Sequence, residues 1–193
     1  MNKQPVDLAQ AYRLINPGPV TLISVGDGAE DNLFAAQWCM PVRVSPPLLG
    51  ILVGKDHYSW PILERTGTFG LNIPDEGMVD AVLGCGRTSG RNEADKFSRF
   101  GLTRLPAQSI RAPLVAQCVA NLECRVAMVH DMGAQALVVA QVIRAIADVD
   151  HFRDGAWQFD RGLTLLHHLG ASRFGVLREV IVGKLDLSRE PGA

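Results

Sequence analysis

The sequence lacks the features that would assign it to several large classes of protein. Lys plus Arg number 19 against 20 Asp plus Glu, a formal net charge of -1, so no overall field attracts nucleic acid or an anionic membrane. The apolar runs stop well short of the roughly 18 residues that a membrane-spanning helix needs, and no apolar signal segment occurs near the start. We therefore expect a cytoplasmic protein with neither nucleic acid nor a membrane as partner.

Metal-ligand and nucleophile patterns are also missing. The four cysteines have no CxxC spacing and are predicted to be free thiols: Cys39, Cys85, Cys118 and Cys124. Of the five histidines only His167 and His168 are close together, without a carboxylate or cysteine at ligand spacing. The sequence therefore predicts no metal site, and no side chain is assigned a catalytic role.

Short strand patterns dominate the 193 residues, which we interpret as a single domain over 1–193 with a core from about 12 to 176. Residues 20–25 and 33–44 form one predicted hairpin, and residues 122–130 and 137–146 form a second. Regular alternation of strand and helix is absent, which argues against a Rossmann domain. The pattern favours a mainly β fold, a closed or nearly closed antiparallel barrel with short helical insertions.

Two segments have the composition of anion-binding loops. Residues 54–59 lead into a predicted helix with Ser59 as N-cap and carry Lys55 and His57. Residues 84–91 form a predicted loop rich in glycine and cations, followed by a short helix over residues 92–100 that includes Lys96. Each loop alone is equally well explained as a solvated polar turn, but two in one neutral domain favour a phosphorylated ligand.

A third segment, residues 32–41, has the pattern of a strand that lines a planar ring. Alternation places Ala36 and Trp38 on one face and Gln37 and Cys39 on the other. Such a strand presents both an apolar wall and backbone amides. From this segment alone, Trp38 as a simple core residue is the preferred interpretation.

The order of these segments resembles the flavin reductase-like, FMN-binding split-barrel family, and within it the flavoredoxin branch. The likeness extends from about residue 12 to residue 176. It rests on residues 19–24, 32–41, 45–49, 57–59, 67–74, 85–90, 95–97, 112–114, 122–124, 169–170 and 173–175. Each motif is weak alone, whereas their common order and spacing are specific.

The resemblance implies a six-stranded, Greek-key-like split barrel that forms a homodimer and binds FMN non-covalently near the subunit boundary. It implies that the 32–41 strand lines the isoalloxazine ring, that the 55–59 loop holds the phosphate, and that Lys96 lies near the flavin. The cofactor-binding residues carried over in this way are Asn32, Ala36, Gln37, Trp38, Cys39, Lys55, His57, Tyr58, Ser59, Ser89, Lys96, Gln135 and Phe174.

One position departs from the flavoredoxin pattern. The family often has a histidine just before the long late strand, and this chain has Gln135 there. A glutamine hydrogen-bonds but does not titrate near neutral pH. A proton-supplying role is therefore not expected at this position.

The resemblance implies an FMN-dependent oxidoreductase, either a flavin reductase that uses NADH or NADPH or a flavoredoxin-like electron carrier with a redox partner protein. In both cases the flavin carries the redox chemistry. A non-catalytic flavin-binding module is an alternative that needs the same residues. A pyridoxamine-phosphate oxidase-like enzyme is another, and it is disfavoured because Arg43 is the only cation on the early strands.

Overall fold

The computed structural model describes residues 4–15 and 18–183, and strands predominate in them. The strands are β1 (Gly18–Pro19), β2 (Thr21–Gly26), β3 (Asp31–Ala36), β4 (Cys39–Arg43), β5 (Leu48–Gly54), β6 (Thr68–Ile73), β7 (Arg104–Leu105), β8 (Leu114–Val115), β9 (Ala120–Asp131), β10 (Gln135–Ala147), β11 (Phe152–Arg153), β12 (Ala156–Trp157), β13 (Leu165–Gly170) and β14 (Arg173–Leu177). The α-helices are α1 (Tyr12–Ile15), α2 (Ser59–Thr66), α3 (Val79–Arg87) and α4 (Lys96–Arg99). Short 3₁₀ turns cover Leu8–Gln10, Glu76–Met78 and Phe159–Arg161.

The main sheet is antiparallel and has the strand order β3-β2-β6-β9-β10-β5-β4. Both predicted hairpins are present, as β2 with β3 and as β9 with β10. A separate sheet, β1-β13-β14, pairs the last two strands with the short strand that precedes β2. The expectation of a mainly β fold with short helices is confirmed.

The single strand predicted over residues 33–44 is wrong. It is two strands, because β3 and β4 lie at opposite edges of the main sheet and the chain crosses between them at Gln37 and Trp38. The crossing is held by Leu52, whose N–H donates to the Trp38 carbonyl at 3.0 Å. The seventh strand of the sheet results from this break.

Two buried clusters hold the elements together. One lies against the main sheet and is built around Ile23, Ile51 and Phe69, none of which has exposed surface. The other joins α3 and α4 to β2 and β3 and contains Val82 and Phe97. The second cluster fixes the helices beside β3, which is where the candidate site forms.

The helices around residues 79–100 differ from the prediction. The loop expected over residues 84–91 is helical as far as Arg87. The glycine content there reflects packing, because Gly84 lies so close to the Phe100 ring that any side chain would overlap it. The helix expected over residues 92–100 is confined to Lys96–Arg99, with Asp95 accepting a hydrogen bond from the Ser98 N–H at its start. Within the described residues no helix is both long enough and apolar enough to cross a lipid bilayer.

Candidate functional site

A cleft opens between the end of β3, the end of β5 and helix α3. Its first part, here called the apolar chamber, has a volume of about 300 Å³. Aliphatic, aromatic and small residues form most of its walls, and two glutamines, two histidines and one arginine supply polar groups. The lining residues are Val20, Ala35, Ala36, Gln37, Trp38, Leu52, Gly54, His57, Val82, Leu83, Gly86, Arg87, Gln135, His168, Ala171 and Phe174.

The second part, here called the polar chamber, has a volume of about 260 Å³ and a different composition. Hydroxyl groups, cations and backbone predominate. The lining residues are Asn32, Phe34, Ala35, Asp56, His57, Tyr58, Ser59, Cys85, Gly86, Arg87, Thr88, Ser89, Gly90, Arg91 and Lys96. Because Ala35, His57, Gly86 and Arg87 line both chambers, the two adjoin, and together they are called the cleft.

The break between β3 and β4 builds one wall of the apolar chamber. Four successive residues, 35–38, line it, so the strict alternation expected for residues 32–41 does not hold across the break. Ala36 is buried, whereas Trp38 is 42% exposed and its ring meets the Tyr12 ring edge-on at 6.0 Å. Trp38 is therefore a surface wall of the cleft rather than a core residue.

The opposite wall comes from the late strands. Gln135 begins β10, while His168 and Phe174 are register partners on β13 and β14 with ring centroids 5.2 Å apart. The His168 Nε2 lies 3.2 Å from the Ala171 carbonyl oxygen. In the neutral ring this places the proton on Nε2. The histidine is thereby held edge-on to Phe174 at the chamber wall.

Buried polar side chains form the floor of the polar chamber. The Asn32 Nδ2 donates to the Ser59 Oγ at 2.7 Å, and both residues are almost fully buried. The prediction that Ser59 is the N-cap of α2 is therefore wrong, because Tyr58 occupies the cap position. The Ser59 hydroxyl accepts the hydrogen bond from Asn32. The Asn32 Oδ1 is buried without a hydrogen-bond partner among the described residues, which leaves an unsatisfied acceptor at the chamber floor.

Lys96 is the most buried cation of the cleft, with 3% of its surface exposed. Its Nζ donates to the Leu33 carbonyl at 2.6 Å and to the Cys85 carbonyl at 3.2 Å. It therefore ties β3 to α3, the two walls of the polar chamber. Burial lowers the pKa of the Lys96 ammonium, and burial raises the pKa of the neighbouring Cys85 thiol to about 11.

An ion-pair network holds the helix that carries Lys96. Arg104 donates to both carboxylate oxygens of Asp31 at 2.8 and 2.9 Å and to Asp95 at 2.9 Å, and its guanidinium lies 4.4 Å from the Phe97 ring centroid. The hydroxyl and N–H of Ser98, followed by Arg104, lower the pKa of Asp95 to about 2. Arg104 therefore links the start of α4 to the start of β3 through these ion pairs.

The two candidate anion loops meet at the polar chamber. Both terminal nitrogens of Arg91 donate to the Asp56 carbonyl at 3.1 Å. Gly90 is buried against the Tyr58 ring, so closely that a Cβ at this position would overlap the ring. The Tyr58 hydroxyl in turn donates to Glu30 at 3.2 Å. We call these Asp56–Arg91 and Tyr58–Gly90 contacts the loop latch.

Eleven of the thirteen predicted binding residues line the cleft. The residues at the apolar chamber are Ala36, Gln37, Trp38, Gln135 and Phe174, those at the polar chamber are Asn32, Tyr58, Ser59, Ser89 and Lys96, and His57 lies at both. Two line neither chamber. The half-buried Cys39 has its Sγ 3.9 Å from the Thr21 hydroxyl, and Lys55 pairs with Asp131 at 2.6 Å.

The sequence analysis missed the contributions of His168 and of helix α3. His168 was considered only as a metal ligand and was assigned no role, yet it lines the apolar chamber. Val82, Leu83 and Gly86 were not singled out, although α3 presents all three to the cleft. The available signal was helical spacing that continues past Gly84, which the glycine content of residues 84–90 obscured.

Comparison with known proteins assigns the chain to a family. Residues 12–171 match the family model described as flavin reductase like domain. The chain belongs to the flavin reductase-like family. Among relatives, an uncharacterized protein of Escherichia coli K12, YddH, is 37% identical over 177 residues, covering 88% of this chain and 92% of that protein. An NADH-dependent FAD reductase of Streptomyces globisporus is 30% identical over 143 residues, covering 73% of this chain and 77% of that protein.

Solved structures give the same result. An FMN-binding domain of a flavin reductase-like enzyme from Shewanella baltica has a TM-score of 0.79 at 29% identity, covering 95% of this chain and 98% of that one. Flavoredoxin from Methanosarcina acetivorans has a TM-score of 0.79 at 25% identity, covering 97% and 98%. The predicted fold, an FMN-binding split barrel, is confirmed for this flavin reductase-like chain, as is the resemblance to flavoredoxins.

Proposed function

We propose that this chain binds FMN non-covalently in the two-chamber cleft and acts as a flavin-dependent oxidoreductase, a flavin reductase that takes electrons from NADH or NADPH. One observation carries the proposal: a chain of the flavin reductase-like family has a cleft divided into an apolar chamber and a joined polar chamber. FMN has the matching division, since a planar ring system is joined through a ribityl chain to a phosphate.

The polar chamber fits the ribityl phosphate end. Arg87, Thr88 and Ser89 offer a cation and two hydroxyls to a phosphate. The unpartnered Oδ1 of Asn32 at the floor is an acceptor that a ribityl hydroxyl would satisfy. Because Gly90 lacks a side chain, its loop approaches Tyr58 closely at this end of the cleft.

The apolar chamber fits the ring. Trp38 and Phe174 supply aromatic surface and Val82 supplies aliphatic surface, which favours burial of a planar heterocycle. The amides of Gln37 and Gln135 provide donors and acceptors for its polar edge. These residues would bind and orient the ring and exclude water from one of its faces.

When bound, the flavin supplies the chemistry of accepting a hydride and passing electrons on. The protein's residues would bind the flavin, orient its ring and set the polarity of the ring's surroundings. Gln135 would keep a hydrogen bond at the ring without titrating near neutral pH. The buried Lys96 ammonium would hold the two walls of the polar chamber at the spacing that the phosphate end requires.

The choice of a pyridine nucleotide as reductant is supported by the similarity to the Streptomyces globisporus protein named NADH-dependent FAD reductase. Similarity to the flavoredoxin from Methanosarcina acetivorans supports a second candidate, an electron carrier that receives electrons from a redox partner protein. Both candidates need the same flavin site, and they differ only in what reduces the bound flavin.

The experiment that tests the function is the visible absorption spectrum of the FMN-loaded protein before and after anaerobic addition of NADH or NADPH. For the reductase, we expect either nucleotide to bleach the visible absorption of the bound FMN rapidly. Bleaching only by dithionite or a reduced partner protein would favour the carrier or a non-catalytic flavin-binding module and would contradict the reductase. A pyridoxamine-phosphate oxidase-like enzyme would oxidise pyridoxamine phosphate in the same preparation.

We also propose that the chain forms a homodimer through the apolar face next to the cleft. A groove of about 500 Å³ lies there, with Tyr12, Met40, Leu52, Met132 and Leu137 in its lining. Met40 is 55% and Met132 61% exposed, and apolar patches of this kind mark interaction sites. Trp38 lines both this groove and the apolar chamber, so a second copy here would lie at the edge of the cleft.

A charge in the groove should separate the two copies. We expect Met40→Glu to convert a dimer into a monomer in light scattering, because the carboxylate would have to lose its water in the interface. Val149→Glu is the matched control, since Val149 is 75% exposed on the segment that follows β10, and it should remain dimeric. A monomeric mass for the FMN-loaded unmodified protein would overturn the dimer proposal.

A further inference from the structure

His168 lies in the wall of the apolar chamber, beside a turn that holds its ring. The ladder between β13 and β14 shifts register directly after His168 and skips Leu169. Such an irregularity re-aims the neighbouring side chains. Ala171 then adopts a left-handed backbone with φ of 56°, which residues other than glycine seldom do. Because its carbonyl oxygen is 3.2 Å from the His168 Nε2, this turn makes Nε2 the donor of the neutral ring.

The other ring nitrogen of His168 is not used by the fold. Its Nδ1 is buried, and none of the described residues forms a hydrogen bond with it. When the neutral ring carries its proton on Nε2, Nδ1 carries a lone pair. The ring stands edge-on to Phe174, with centroids 5.2 Å apart. Nδ1 is therefore a proton acceptor that the fold leaves unused in the chamber wall.

The side chains that share this wall with His168 bring no negative charge. Among the described residues no carboxylate lines the apolar chamber, and Asp75 pairs with β13 only at its first residue, Leu165. The charged or titratable groups of the chamber and turn are His57 and Arg87 in the lining, Arg13 beside Gly170, and the strand neighbours His167 and Arg173. His57 and Arg87 are exposed, so water screens them more than the half-buried His168.

A flavin gains negative charge on reduction. Two electrons and one proton convert the oxidised ring system into a reduced form with one additional negative charge, and negative charge favours protonation of a nearby imidazole. We propose that His168 takes up a second proton, on Nδ1, when flavin bound in the apolar chamber is reduced, an inference that rests on the proposed flavin function. Two protons are then taken from water for two electrons, one by the flavin and one by His168. The net charge of the chamber stays constant.

The dependence of the midpoint potential on pH counts these protons. For a two-electron couple, each proton consumed adds about 30 mV to the shift that a tenfold change in proton concentration produces. The FMN-loaded full chain should therefore show about 60 mV per pH unit from about pH 7 to 8, with the absorption spectrum of an anionic reduced flavin. Electrons come from an electrode through small mediators, so the result does not depend on NADH or NADPH as reductant.

Two variants of His168 remove the proton acceptor by different means. His168→Gln keeps a hydrogen-bonding side chain that does not titrate, and it should lower the slope to about 30 mV per pH unit. His168→Phe keeps an aromatic ring beside Phe174 and should give the same slope, so the test stays available if the glutamine variant fails to fold. A change of packing alone would not remove a proton from the count.

Other histidines provide the comparison. His57→Gln removes the second histidine of the apolar chamber and should keep the slope of about 60 mV per pH unit. His130→Gln is the matched control, because His130 is exposed on β9 and lines neither chamber. It should also keep that slope.

Four results would overturn the proton uptake while leaving the flavin function intact. These are a slope of about 30 mV per pH unit in the unmodified protein, a slope of about 60 that survives in both His168 variants, a fall that occurs only in His57→Gln, and a reduced flavin with the spectrum of its neutral form. In the last case the second proton would be on the flavin. Failure of the chain to bind FMN would refute the proposed function itself.

Discussion

Replacing Lys96 with alanine is expected to lower the free energy of unfolding by about 3 kcal/mol. Lys96 has only 3% of its surface exposed, and its ammonium donates to two backbone carbonyls, those of Leu33 and Cys85. Its removal leaves both carbonyls without that donor and leaves a void between β3 and α3. Chemical denaturation monitored by circular dichroism measures the change. FMN affinity should fall in the same variant, because these two elements form the walls of the polar chamber.

Lys55→Ala is the matched control, since it removes the same side chain from the surface. The Lys55 ion pair with Asp131 has an exposed carboxylate, with 69% of its side-chain surface accessible. Exposed ion pairs contribute little, so the unfolding free energy should stay within about 0.5 kcal/mol of the unmodified value. Equal stability losses in the two variants would contradict the role assigned to Lys96.

Replacing Trp38 with alanine is expected to weaken FMN binding by about 10- to 100-fold, which is the loss of roughly 1–3 kcal/mol of ring contact and burial. Trp38 is 42% exposed and forms a wall of the apolar chamber. Because the residue is not part of the core, the unfolding free energy should change little. Titration of the variant with FMN, followed by its visible spectrum, measures the effect.

Trp157→Ala provides the comparison for this variant. Trp157 lies on β12, where its ring meets the Phe152 ring edge-on at 5.1 Å, and it lines neither chamber. Its replacement should leave FMN affinity unchanged. If Trp38→Ala bound FMN as tightly as Trp157→Ala, Trp38 would not belong to the binding wall.

The sheet was predictable because its signals are local. Alternating and β-branched runs located both hairpins, of which the first is β2 paired with β3. The order of weak motifs then identified the family. No such local signal marks the break at Gln37 and Trp38, since it depends on β3 and β4 belonging to opposite edges of the sheet.

The site was predictable residue by residue only where the resemblance supplied a motif. Sequence reasoning placed Lys96 near the cleft but gave no indication that it would be buried between two carbonyls, because those acceptors come from residues 63 and 11 positions away. His168 reaches the apolar chamber through the pairing of β13 with β14. Lys55 is a predicted binding residue from the resemblance, and nothing in the sequence indicates that its side chain would pair with Asp131 from the end of β9.

The most direct test of the two-chamber flavin site is a spectroscopic titration of the purified protein with FMN. The account predicts saturation at one FMN per chain, with a shifted and more structured visible band because the ring moves from water into the apolar chamber. A visible spectrum that stays that of free FMN at every protein concentration would contradict it.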